Sequence, residues 1–164
     1  MTRLTIHYVL LLIGCIALPL IIGAFGSYFT MASISGWYVT LAKPWFTPPN
    51  WLFGPAWTIL YILMGISLWL VIKDGIREQP IRKGIILFLV QLLVNLLWSV
   101  IFFGMRSPLG GLVTILILIA LIVMTIRQFR IVSTRAAYLL VPYLCWTAFA
   151  TILNAAIVIL NWPF

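Results

Sequence analysis

WYVTLAKPWFTPPNWLFGPAW, residues 37–57, holds four tryptophans and four prolines in 21 positions with one charge, Lys43. These rigid, bulky groups lie between two long apolar runs. The run before them, 4–26, and the run they lead into, 51–72, contain no Asp, Glu, Lys or Arg. Three more such runs follow at 84–105, 107–126 and 136–162. About 20 apolar residues in a helix cross a bilayer core. The five runs therefore predict an all-α integral membrane protein: a single domain over 1–164, a five-helix transmembrane bundle with a long structured loop between helices 1 and 2.

Composition points the same way. The chain is 65% hydrophobic and 7% charged, against about 25% charged in soluble domains. Lipid is thus the expected main solvent. Cys15 and Cys145 lie within apolar runs and read as small core residues; no disulfide framework or metal-ligand spacing exists, so no metal is expected. LIGC at 12–15 loosely resembles a lipoprotein cleavage site. The chain stays apolar beyond Cys15, where a lipoprotein turns polar, and the run is too long for a signal segment.

The net charge of +8 is explained by placement. With five spans, the N-terminus, the 73–83 loop and the 127–135 loop share one side. They carry Arg3, Lys73, Arg77, Arg82, Lys83, Arg127, Arg130 and Arg135, eight of the ten basic residues. The positive-inside rule then places the N-terminus in the cytoplasm, with the first loop and the C-terminus outside a bacterial cell membrane. No nucleic-acid partner is needed to account for the charge; the lipid membrane is partner enough.

The first loop, 27–50, is expected to form a short helix, WYVTLA, that Pro44 ends. Pro48 and Pro49 stiffen an extended approach to the second span. Trp37, Tyr38, Trp45 and Trp51 suit an interfacial aromatic belt. A belt needs no paired prolines, however, and the stretch also reads as a preorganised lid over a cavity.

Helical spacing predicts what lies below the lid. Gln91, Asn95, Trp98 and Phe102 share a face of the third span. Trp57, Tyr61, Met64 and Leu68 share one of the second. Pro142, Trp146, Phe149 and Leu153 share one of the fifth, with Ala150 and Asn154 close by. Together they would wall an aromatic pocket with a few amides and phenols, suited to a flat apolar ligand. The amides serve equally as interhelical hydrogen-bonding groups. The only acids, Asp74 and Glu78, lie in the 73–83 loop. A proton-coupled pump needs an ionisable group inside the membrane, and no nucleophile–base pair can be assembled.

These residues form ordered motifs: WY-x4-KP, then F-x-PP-x-W-x-FG-x-x-W, then LY-x-x-MG at 60–65. The third span reads Q-x-x-x-N-x-x-W-S-x-x-FF and the fifth PY-x-x-W-x-x-FAT-x-LN. Over residues 36 to 160 the chain resembles the tryptophan-rich sensory protein / translocator protein family (TspO/MBR, the peripheral-type benzodiazepine receptor), as a bacterial member. The resemblance implies a homodimer of five-helix bundles whose pocket is covered by the first loop. It implies tetrapyrrole ligands such as protoporphyrin IX and haem, with no further cofactor, and isoquinoline carboxamide or benzodiazepine compounds. By motif, the ligand-binding positions are Tyr38, Pro48, Pro49, Trp57, Asn95, Trp98, Trp146 and Ala150. The end of the fifth span lacks the Tyr and basic residue of the animal sterol pattern, which places sterol binding in doubt. The first loop reads KPWF where Ser-Trp often follows KP, leaving Phe46 at the usual Trp position.

Two functions follow. A receptor or sensor would bind, regulate or move tetrapyrroles, with Lys43 or Arg106, the two basic residues on the outer side, meeting the propionates. An enzyme would degrade protoporphyrin with light and oxygen, with Trp57 and Trp146 as oxidisable catalytic residues. A small multidrug-type exporter and a ligand-free scaffold are further readings.

Overall fold

The computed structural model describes residues 3–163, with side chains from Ile6 to Pro163. Met1, Thr2 and Phe164 lie outside it, as does the side chain of Arg3, one of the basic residues counted above. The elements are α1 (Arg3–Ile34), α2 (Trp37–Thr40), α3 (Asn50–Ile72), α4 (Gln79–Ser99), a π-helical turn (Val100–Gly104), α5 (Pro108–Val132), α6 (Thr134–Leu139) and α7 (Val141–Leu160). Five helical stretches, Ile6–Ile34, Asn50–Ile72, Gln79–Gly104, Pro108–Val132 and Thr134–Leu160, are long and apolar enough to span a membrane. The five expected spans are present.

Their boundaries differ from the sequence reading in three places. The first loop is shorter than 27–50, because α1 continues to Ile34. Residues 27–34 contain no helix breaker, and the Ser27 and Thr30 hydroxyls donate to the carbonyls of Ala24 (2.8 Å) and Gly26 (3.2 Å) within the helix. The expected 127–135 loop reduces to Ser133: α5 runs through Arg127 and Arg130, and Arg135 lies in α6. Ser133 caps α6 by accepting from the Ala136 N–H at 3.3 Å. Pro80, which falls in the expected 73–83 loop, sits in the first turn of α4, where its missing N–H costs nothing. Pro142 likewise opens α7, after a break at Leu140.

α1 packs between α3 and α4, α4 against α5, α5 against α7, and α6 against α3, which closes a ring. The tightest approach lies between α1 and α3. A Cβ on Gly65 would stand 2.4 Å from the Ile16 Cα and 2.7 Å from the Cys15 carbonyl oxygen. Only glycine lets these two backbones touch. Cys15 is buried there as expected. Cys145 is exposed on α7 and is no core residue; its helix position points away from the bundle.

The two ends of the bundle differ in character. At one, Ser67 Oγ donates to the Ala136 carbonyl (2.7 Å) and Gln128 Nε2 to the Pro80 carbonyl (3.0 Å), gathering the basic 73–83 segment and the α5–α6 junction. At the other lie the first loop, the α4–α5 corner at Arg106 and the end of α7. There Ser33 Oγ donates to the Phe103 carbonyl at 2.7 Å, fastening α1 to the π-turn.

Gln91 is 1% exposed, and neither its amide nitrogen nor its oxygen has a hydrogen-bond partner among the described residues. It is therefore not the interhelical tie that its sequence position allowed. Two substitutions separate these features. Gly65→Ala is expected to lower stability by about 1–3 kcal/mol, since backbone must move. Gln91→Met is expected to be neutral or stabilising by about 1 kcal/mol, since it removes an unpaired buried amide. Thermal unfolding in detergent reads both.

Candidate functional site: a lidded cavity between α1 and α3

Beyond the Gly65 contact a cavity of about 720 Å³ lies between α1, α3 and the far wall of the bundle. α1 contributes Gly23, Ser27 and Thr30, one helical stripe of small residues. α3 contributes Trp57 and Tyr61, from the face expected on sequence grounds, and Thr58 beside them. Trp98, Phe102 and Phe103 form the wall on α4 and the π-turn, and Ala150, Leu153 and Asn154 the wall on α7. The π-turn presents two adjacent phenylalanines inward, their ring centroids 4.8 Å apart, and Trp98 stacks on Phe102 at 5.5 Å.

The inner wall is fixed by a buried polar chain. Tyr61 Oη donates to Asn95 Oδ1 (2.9 Å), and Asn95 Nδ2 donates to Tyr143 Oη (3.2 Å). In lipid such groups need partners from within the protein. Trp57 stacks on Tyr61 (5.4 Å between centroids) and meets Tyr143 edge-on (6.2 Å). Gly23 makes room for the Tyr61 ring: a Cβ there would fall 2.1 Å from Cε2. Asn154 donates to the Pro108 carbonyl (2.8 Å) and so ties α7 to the start of α5 while also lining the cavity.

The first loop forms the roof. Tyr38 is 3% exposed and lies against Phe102 and Phe103. Burial pushes its phenol above the ordinary value of 10, so it stays neutral. The Lys43 ammonium donates to the carbonyls of Tyr38 (2.8 Å) and Leu41 (3.3 Å) and stands 4.9 Å from the Tyr38 ring centroid. Pro49 is extended (φ −63°, ψ 144°) and delivers the chain into α3. Asn161, at the end of α7, clamps the roof. Its Oδ1 accepts from the Ala42 N–H and its Nδ2 donates to the Ala42 carbonyl, both at 2.9 Å. Trp45 and Trp51 are exposed, as an interfacial belt requires, whereas Trp37 packs edge-on against Phe102.

Of the positions named from the sequence, Tyr38, Trp57, Trp98 and Ala150 meet in this cavity. Asn95 does not line it but holds Tyr61, which does. Pro48 and Trp146 line a separate shallow groove of about 620 Å³ on the outer face of α3 and α7. Trp146 is one ring removed from the cavity, through Phe53 at 6.1 Å. Pro49, Lys43 and Arg106 line neither space. The α1 stripe was missed by sequence reasoning because residues 27–34 were read as loop. Its signal was available in the Gly23, Ser27, Thr30, Ile34 spacing. No group of three or more potential metal ligands occurs among the described residues.

Five helices long and apolar enough to span a membrane, packed around a lidded aromatic cavity, define a class of integral membrane protein. Comparison with known proteins gives the class its name: residues 15–160 match the TspO/MBR family, and the chain belongs to it. A tryptophan-rich protein TspO from Chlorobaculum tepidum is 50% identical over 153 residues, covering 93% of this chain and 97% of that one. One from Archaeoglobus fulgidus is 46% identical, covering 93% and 98%. The human translocator protein is 40% identical over 131 residues, covering 79% and 77%.

The polar chain yields a stability test. Asn95→Leu keeps the branched four-atom shape of the side chain but strips both phenols of their partner, and is expected to cost about 2 kcal/mol or more. Tyr61→Phe, which removes one hydroxyl, is expected to cost about 1 kcal/mol. Equal losses in thermal unfolding would show that Asn95 is not the shared centre.

Proposed function

We propose that this membrane protein binds tetrapyrroles such as protoporphyrin IX and haem, and related flat apolar compounds of the isoquinoline carboxamide or benzodiazepine type, in the lidded cavity. The observation that carries the reading is the cavity itself. Its volume falls within the range of about 300–1,000 Å³ that holds small-molecule ligands. Its wall presents the Trp57 and Trp98 rings, and aromatic faces suit a planar macrocycle. Family membership supports the same reading. The basic end of the bundle is cytoplasmic by the positive-inside rule, and the lid faces outward.

Anionic substituents on the ligand would lie toward the roof. Lys43 holds its charge 4.9 Å from the ring of a lining residue, and Arg106 lies at the same end. Lys43 also ties lid carbonyls, so its removal has two effects that ligand charge separates. Tryptophan fluorescence quenching by protoporphyrin IX, titrated in the dark in detergent, is expected to saturate. Trp57→Phe is expected to weaken it about three- to ten-fold, the scale of one aromatic contact. Lys43→Ala is expected to weaken protoporphyrin more than a neutral isoquinoline carboxamide. Equal weakening would assign Lys43 to lid structure alone, and absence of saturation would refute the tetrapyrrole reading.

One observation favours a second activity. Trp57 borders the cavity and stacks on Tyr61, so an oxidisable ring would touch a bound porphyrin. Light-driven oxidation of the macrocycle by dioxygen would then draw on Trp57, with Trp146 a ring further away. Compared at protoporphyrin concentrations that saturate each protein, illuminated Trp57→Phe should lose product; unchanged product would indicate ordinary photobleaching.

A further inference from the structure

The roof of the cavity is fastened and its side is not. Asn161 holds both backbone polar groups of Ala42, and Lys43 ties the carbonyls of Tyr38 and Leu41. Tyr38 is buried beneath them. On the side, α1 and α3 are neighbours in the helix ring, so no other helix lies outside the seam between them. They touch at Gly65 and again where Gly23 meets Tyr61. Further toward the lid their facing stripes separate. Ala24, Ser27 and Met31 of α1 and Trp51, Gly54 and Thr58 of α3 all line the cavity and all remain exposed. Met31 and Trp51 are each 72% exposed, more than a surface facing only an enclosed space would show. A Cβ on Gly54 would meet nothing within 4 Å. Ala24, Ser27, Gly54 and Thr58 thus put small side chains along a slot that opens within the two stretches apolar enough to span a membrane, Ile6–Ile34 and Asn50–Ile72.

We infer that ligands reach the cavity sideways, from the leaflet on the lid's side, through the seam between α1 and α3, while the Asn161–Ala42 clamp keeps the roof shut. The substrate class is accordingly one that dissolves in lipid before it binds: a planar amphiphile with its polar groups at the interface. The seam's width, set by Ser27, Gly54 and Thr58, selects thin molecules over globular ones of equal apolarity. This rests on the cavity being a ligand site, as proposed above.

The test uses a cavity thiol and needs no tetrapyrrole. In a Cys15→Ala, Cys145→Ala background, Ala150→Cys places one thiol on the far wall. The full chain is reconstituted in phosphatidylcholine vesicles. N-pyrenylmaleimide dissolved in the bilayer and a charged methanethiosulfonate added in water are compared. The pyrene reagent is expected to label the thiol. Adding Gly54→Phe should slow that labelling about ten-fold, with Ser27→Phe as the second variant should the first not fold. Adding Asn161→Ala should leave the pyrene rate unchanged and raise only the rate of the charged reagent. A thiol that the pyrene reagent never reaches would overturn the inference. So would pyrene labelling that is indifferent to Gly54→Phe and Ser27→Phe and accelerated by Asn161→Ala. Failure of protoporphyrin to quench the wild-type protein is a separate result: it would sink the tetrapyrrole reading and leave the labelling pattern to decide the route.

Discussion

The backbone contact at Gly65 is what the functional half of the bundle depends on. At that point α3 lies directly on Ile16 and Cys15 of α1. In lipid no hydrophobic effect drives helices together, so close approach of small residues supplies the attraction. Two helices pinned at one level and tied to other elements elsewhere diverge from the pin. Ser33 holds the far end of α1 to the π-turn, and Pro49 directs the start of α3 out of the loop. The wedge between them becomes the cavity. Its floor is the Tyr61 ring, seated in the notch that Gly23 leaves.

Polarity inside the bundle is deployed unevenly. The Tyr61–Asn95–Tyr143 chain satisfies itself and fixes rings that face the cavity. Asn154 bonds the first carbonyl of α5. Gln91, one turn from Asn95, has no partner among the described residues, and nor does the Trp69 indole nitrogen. An unpaired buried amide opposes folding. The stability of the bundle therefore rests on close apolar contact and on a few well-paired groups, and not on the number of polar residues within it.

The fold was largely legible in the sequence because its signal is collective. Five uncharged runs specify five spans whatever their details. The α3 and α4 faces were legible too, since Trp57, Tyr61, Asn95 and Trp98 obey helical spacing. Four features were not. Ser27 and Thr30 look like loop residues until their hydroxyls are seen to bond inside the helix. The π-turn adds a residue per turn without any glycine or proline to mark it before Gly104. Trp146 shares a helical face with Leu153 on paper, but only Leu153 and its neighbours reach the cavity, because Phe53 stands between. Asn161 carried no signal at all: its partner is a backbone 119 residues away.

That last separation bears on how the molecule is made. Ribosomes deliver the lid before α3, α4, α5 and α7 exist, and domains assemble as their elements emerge. Ala42 can meet Asn161 only after the last span has been inserted and has turned its end back to the first loop. The roof is thus the final part of the chamber to set, closing a circuit of 119 residues. During biogenesis the nascent bundle is an open trough, and seating of the roof records that every span has reached its place.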